Sequence, residues 1–113
     1  MKAEVTLTTT GRKSGMPREV TLYAFEDDDR LIVVGSYGGA ARDPNWVLNL
    51  RAKPQAQVRR RKKVHEVRAL EVDGPERERL WKLVAEAFPL YATYQRKTKR
   101  TIPLFALEPI ADV

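Results

Sequence analysis

Apolar and polar side chains alternate with two different periods along this chain. Residues 4–10 alternate with period two and are rich in Val and Thr, which predicts a strand. Residues 18–26 repeat the pattern, with Val20, Leu22 and Ala24 on one face. Asp27, Asp28 and Asp29 mark a solvated turn. Residues 30–36 contain the continuous run Leu31-Ile32-Val33-Val34, typical of a strand buried on both faces. These three segments predict an antiparallel meander. A loop of small residues follows over 37–43. Asp43 is then the expected N-cap, and Pro44 the expected N1 residue, of a short helix over 45–52. Trp46, Val47 and Leu50 share one face of that helix, Asn49 lies beside it, and Pro54 ends it. Residues 55–60 and 63–72 read as a strand pair, and imperfect alternation over 64–70 predicts a bulge. Over 76–88 the period lengthens, and Leu80, Trp81, Val84 and Phe88 form the buried stripe of a helix. Pro89 breaks it. A second short helix is expected over 90–98, carrying Tyr91 and Tyr94 on one face. The last strand is expected over 102–107, stopped by Glu108-Pro109. Strands dominate, and a small antiparallel barrel is the expected closure because it removes exposed edges.

Composition narrows the function classes. A length of 113 residues fits one domain, residues 1–113, large enough for one real core. Cysteine is absent and His65 is the single histidine, so thiolate and multi-histidine metal sites within one chain are excluded. No metal site is expected. His65, alone on its strand, is read as solvated. The sequence has no apolar run long enough to span a bilayer and no signal-peptide core near its start, so a cytoplasmic location is expected. The net charge of +6 points to an anionic partner.

Two loops and the short helix concentrate the candidate chemistry. In the first loop, Gly11 and Gly15 bracket Arg12, Lys13 and Ser14, with Arg18 just beyond Pro17. Three cations and a hydroxyl thus sit on one tight turn, suited to phosphate or carboxylate. A solvated basic hairpin turn is the plain alternative. The second loop, Gly35-Ser36-Tyr37-Gly38-Gly39-Ala40, lets backbone amides approach a phosphate or a planar ring edge. Residues 59–63 are five consecutive cations at an expected hairpin tip. They are either solvated or a contact for an anionic tail, nucleic acid or acidic lipid. Aromatics are not interleaved with them, so base stacking lacks a platform and no specific nucleic-acid partner is expected.

Taken in order, these motifs resemble those of the deazaflavin-dependent nitroreductases, split-β-barrel proteins that use coenzyme F420. The family's T-T-x-G-R-x-S-G-x-x-R loop matches residues 8–18, its S-x-G-G-A loop residues 36–40, and its P-x-W-x-x-N-L-x-A-x-P helix residues 44–54. Glu78-Arg79-Leu80-Trp81, the tyrosine pair and Ile102-Pro103 continue the likeness, which covers nearly the whole chain. The resemblance implies a mainly β split barrel with attached helices, of flavin-reductase or pyridoxamine-phosphate-oxidase type. It implies hydride transfer from reduced F420 to an electron-poor acceptor such as a quinone, nitro compound or enone.

By this similarity Lys13 and Arg18, with Arg12 and Ser14 nearby, hold the cofactor's phosphate and oligoglutamate tail. Ser36, Gly38, Gly39 and Ala40 line the phosphate and ring edge, and Trp46 and Asn49 support the pocket. Tyr91 or Tyr94 donates a proton or hydrogen bond to the acceptor. Trp46 as plain core, the tyrosines as a staple for the terminal helix, and Tyr37 as a further wall of the ring pocket stand as alternatives. A barrel binding flavin mononucleotide (FMN), a non-enzymatic deazaflavin carrier, and a membrane-surface module using residues 59–63 also remain open. Split barrels of this kind often pair as homodimers. Family members commonly begin with a helix before the first strand. This sequence starts almost at that strand, which implies a more open substrate side.

Overall fold

A computed structural model describes residues 2–110. The strands are β1 (Lys2–Thr10), β2 (Pro17–Asp27), β3 (Arg30–Val34), β4 (Gln55–Arg60), β5 (Lys63–Glu71) and β6 (Leu104–Pro109). The helices are α1 (Asn45–Ala52), α2 (Gly74–Ala87) and α3 (Leu90–Lys97), with a single 3-10 turn at Tyr37–Gly39. All neighbouring strands pair antiparallel, in the closed order β1-β2-β3-β6-β5-β4. The expected split barrel and its opening meander are therefore present.

Strand period sorts the apolar residues into two layers. Val5 and Leu7 of β1, Ala24 of β2, Val33 of β3, Val58 of β4, Val67 of β5 and Phe105 and Leu107 of β6 fill the barrel interior. Trp46, Val47 and Leu50 join that cluster, so α1 plugs one end of the barrel. On the outside, Phe25, Ile32, Val34, Leu104 and Ala106 are covered by Leu80 and Val84 of α2 and Tyr91 of α3. The continuous apolar run of β3 is thus explained. Val33 faces the interior while Ile32 and Val34 face the helices, so neither surface of the strand meets water.

Four expectations need correction. The helix over 45–52 has Pro44 in the N-cap position, and Asp43 makes no cap bond. Asp43 instead accepts ion-paired hydrogen bonds from Arg51 and Arg100, so its carboxylate is drawn away from the helix amides. No bulge occurs over 64–70, since the register of β5 against β4 is unbroken from Lys63 to Arg68. Val64 and Leu70 disturb the alternation because they lie exposed on the outer face. The last strand starts later than expected and runs through Glu108 and Pro109, which pair with Arg68 and Val67. In α2, Leu80 and Val84 are fully buried, whereas Trp81 and Phe88 are only partly covered at the edge of the stripe.

Candidate active site

The loop after β1 is shaped by short local bonds. Gly11 N–H donates to Met16 O at 2.8 Å and Gly15 N–H to Gly11 O at 2.8 Å, closing the turn. A Cβ on Gly11 would lie 2.6 Å from Ser14 Oγ and 3.2 Å from Met16 O, so the turn closes this tightly only around glycine. Ser14 Oγ accepts from Met16 N–H at 3.1 Å and from Arg18 Nη2 at 3.4 Å. The hydroxyl thereby holds both the turn and one of its cations.

From the α1 side, Asn49 anchors the loop. Its Oδ1 accepts from Arg12 N–H at 3.1 Å and Arg12 Nη1 at 3.0 Å, while its Nδ2 donates to Thr9 Oγ1 at 3.2 Å. Both Asn49 and Thr9 are buried, and this network satisfies each other's polar atoms. Arg12, Lys13 and Arg18 form no ion pair among the described residues, in contrast to Arg30, Arg51, Arg60, Arg79 and Arg100.

These residues line a groove of about 560 Å³ together with Thr9, Val20, Tyr37 and Trp46. One acid, Glu19, also reaches it. Next to it lies a cavity of about 420 Å³, lined mainly by apolar and aromatic side chains, including Leu22, Val34, Phe88, Tyr91 and Tyr94. Val20, Tyr37, Pro44 and Trp46 belong to both walls, so the cationic groove and the apolar cavity are contiguous.

The sequence-derived candidates divide between these two spaces. Arg12, Lys13, Ser14, Arg18, Trp46 and Asn49 line the groove, and Ser36, Gly38, Trp46, Tyr91 and Tyr94 line the apolar cavity. Gly39 and Ala40 line neither. A Cβ on Gly39 would lie 2.9 Å from Tyr94 O, so this residue is where the loop packs on α3. Ala40 O accepts from Arg100 Nε at 2.8 Å. Trp46 is both core and wall, with its ring edge-on to Phe105 at a centroid separation of 6.0 Å. Tyr91 is buried against Phe88 and Phe25, with ring centroids 4.8 and 5.8 Å away, both edge-on. Burial, followed by the neighbouring Tyr23 and Tyr94, pushes its phenol up to about 12. It therefore remains a proton-bearing donor throughout the neutral range. Tyr94 is half-buried beside it.

Sequence reading singled out neither Thr9 nor Arg100. Thr9 was legible in principle, because it follows Val5 and Leu7 at a spacing of two and so points inward. Arg100 had no such signal. It stands in the basic stretch Lys97-Thr98-Lys99-Arg100, where nothing distinguishes one cation from the next.

The chain is similar in sequence and in fold to known proteins. The family model described as F420H(2)-dependent quinone reductase matches residues 1–109. The F420H(2)-dependent quinone reductase Rv1261c of Mycobacterium tuberculosis is 38% identical over 104 residues, covering 89% of this chain and 70% of that protein. A solved F420-H2 dependent reductase, FDR-A, superposes with a TM-score of 0.85 at 44% identity, covering 93% of each chain. A second solved structure, described as a domain-swapped dimer, has the same TM-score of 0.85 at 44% identity and covers 93% of this chain and 79% of its own. With a matching family model across nearly its whole length, this chain belongs to the F420H(2)-dependent quinone reductase family.

Proposed function

We propose that this chain is a deazaflavin-dependent oxidoreductase that reduces an electron-poor acceptor of the quinone class, with nitro compounds and enones as further acceptors. The observation that carries this reading is the continuity of the cationic groove with the apolar cavity through Val20, Tyr37, Pro44 and Trp46. The donor set fits coenzyme F420, which combines a planar ring with a phosphate and a string of carboxylates. Arg12, Lys13 and Arg18, which form no ion pair among the described residues, face the groove, and the neighbouring cavity offers apolar and aromatic walls.

In this reading the bound reduced deazaflavin supplies the hydride. Lys13 and Arg18 hold the anionic portion, Arg18 being steered by Ser14. Arg12 is fixed by Asn49 and stiffens the loop. Trp46 and Ser36, with Gly38, form the wall that orients the ring against the acceptor. The aromatic side chains of the cavity exclude water around the acceptor. Tyr91 or Tyr94 donates a hydrogen bond or proton to its oxygen. The solved domain-swapped dimer supports a homodimer, which sedimentation at micromolar concentration distinguishes from a monomer.

The test is the oxidation of reduced F420 by the purified protein with a soluble quinone, a nitroaromatic and a cyclic enone in turn. Quinone-dependent oxidation well above the acceptor-free rate is expected. Tight deazaflavin binding with no acceleration by any acceptor would leave a carrier in place of an enzyme.

A further inference from the structure

We infer that Arg100, which lines neither cavity, is the positioning residue for the acceptor side of the site; this rests on the function proposed above. Its guanidinium donates to four acceptors at once. Nη1 reaches Gly35 O at 3.0 Å and Asp43 Oδ1 at 2.7 Å, Nη2 reaches Ser36 O at 2.7 Å, and Nε reaches Ala40 O at 2.8 Å. Three carbonyls of one loop and one carboxylate thus converge on a single planar fork that is largely buried, with 13% side-chain exposure. Only arginine offers five donors in such a fixed array.

Each partner belongs to an element that forms the site. Gly35, Ser36 and Ala40 flank Tyr37 and Gly38, and Ser36, Tyr37 and Gly38 are cavity wall. The wall is held under tension, because Tyr37 adopts a φ of +46°, which a non-glycine residue rarely does unless its surroundings enforce it. Asp43 precedes Pro44 and Trp46, the wall shared by groove and cavity. It is held from its other oxygen by Arg51 at 2.9 Å, and Arg51 is itself paired to Glu71 at 2.8 Å. On the α3 side, Gln95 Nε2 donates to Arg100 O at 2.7 Å, while Gln95 Oε1 accepts from Ile102 N–H at 2.9 Å. Gln95 follows Tyr94 directly. The backbone of Arg100 therefore fixes the helix that carries the tyrosines, and its side chain fixes the loop that packs on that helix.

Among the described residues no side-chain hydrogen bond joins the cationic loop over residues 11–18 to this network, so the grip on the anionic end of the cofactor does not run through Arg100, while Tyr37, Pro44 and Trp46 line both spaces. Loss of Arg100 is expected to disturb acceptor geometry while leaving the anionic part of the cofactor bound. A shift of about 1 Å in a reacting group can cost about 100-fold in rate.

The experiment compares Arg100→Met, Arg100→Lys and Arg30→Met with wild type. Deazaflavin affinity is read by fluorescence, and kcat and KM are read for a quinone below the melting range. Arg30 serves as control because it is an equally buried, ion-paired arginine, bound to Asp27 and Glu76 at the opposite end of β3. For Arg100→Met we expect kcat/KM to fall at least about tenfold with a raised quinone KM and a cofactor Kd within about threefold of wild type. Arg100→Lys should recover part of that loss, and Arg30→Met should melt earlier with KM unchanged. Wild-type KM in Arg100→Met, or the same kinetic change in Arg30→Met, would overturn the inference. A wild-type protein that fails to bind deazaflavin would instead overturn the functional reading.

Discussion

Asn49 uses both ends of its amide to join three elements: α1, which carries it, Thr9 at the end of β1, and Arg12 in the cationic loop. Its deletion leaves a buried threonine hydroxyl and the Arg12 amide without partners. Asn49→Ala should therefore destabilise the fold by roughly 1–3 kcal/mol, read from urea melts, because a buried donor or acceptor loses its only compensation. A loss below about 0.5 kcal/mol, the range of ordinary surface substitutions, would contradict the anchoring role. Tyr91 makes a prediction of opposite kind. Its phenol titrates near 12 in the folded protein against an ordinary value of 10.0, so the folded state holds the proton more tightly. This contribution is complete below pH 10 and is lost as pH rises from about 10 to about 12. Stability measured at pH 9 and pH 11 should fall more in wild type than in Tyr91→Phe. Equal losses would show that Tyr91 ionises as freely as an exposed tyrosine.

At the scale of elements, the loop after β3 and helix α3 meet at Gly39. Its φ of +81° is costly for any side chain, and an added Cβ would press to 2.9 Å from Tyr94 O and 3.2 Å from Tyr94 Cα. At Gly38 φ is +62°, yet a Cβ would meet nothing within 4 Å. Gly38→Ala is expected to cost only the left-handed backbone penalty, about 1–2 kcal/mol. Gly39→Ala should cost more and also raise the acceptor KM, because α3 and its tyrosines are pushed from the wall. Equal melting temperatures for the two variants would refute this contact. These elements were largely legible in the sequence, and for physical reasons. Period two in β1 and β2, the double-sided apolar run of β3 and the stripe of α2 all arise from burial against a neighbour, which leaves a local trace. Sequence pattern misleads where a polar side chain takes a distant partner. Asp43 looked like a helix cap but answers Arg100, 57 residues away, and Arg51. Arg100 itself binds carbonyls 60 to 65 residues distant, and a backbone carbonyl carries no sequence signal at all.

Across the whole molecule, Arg30, Arg51, Arg60, Arg79 and Arg100 form the ion pairs found among the described residues. Arg79 and Arg30 converge on Asp27, tying α2 to the end of β2, and draw its carboxylate down to about 2. Of the basic run at 59–63, Arg60 pairs with Glu26 and Arg59 donates to Thr6, which draws two of its five cations back onto the barrel. Among the described residues the cations of the loop at 11–18 form no ion pair, and they stand beside an apolar cavity. The Lys13-bearing loop was recognisable as basic from sequence, but only the barrel shows that it adjoins the tyrosine-lined space. On the function proposed above, this groove selects an anionic-tailed deazaflavin. Fluorescence titration of wild type and Lys13→Ala with F420, at low and high salt, alongside FMN, measures that selection. F420 should bind at least about tenfold more tightly than FMN, weaken with salt as exposed charges are screened, and lose about 10- to 100-fold in Lys13→Ala, the range of one charge-assisted bond. Equal or tighter binding of FMN, together with salt-independent F420 affinity unchanged in Lys13→Ala, would contradict the account.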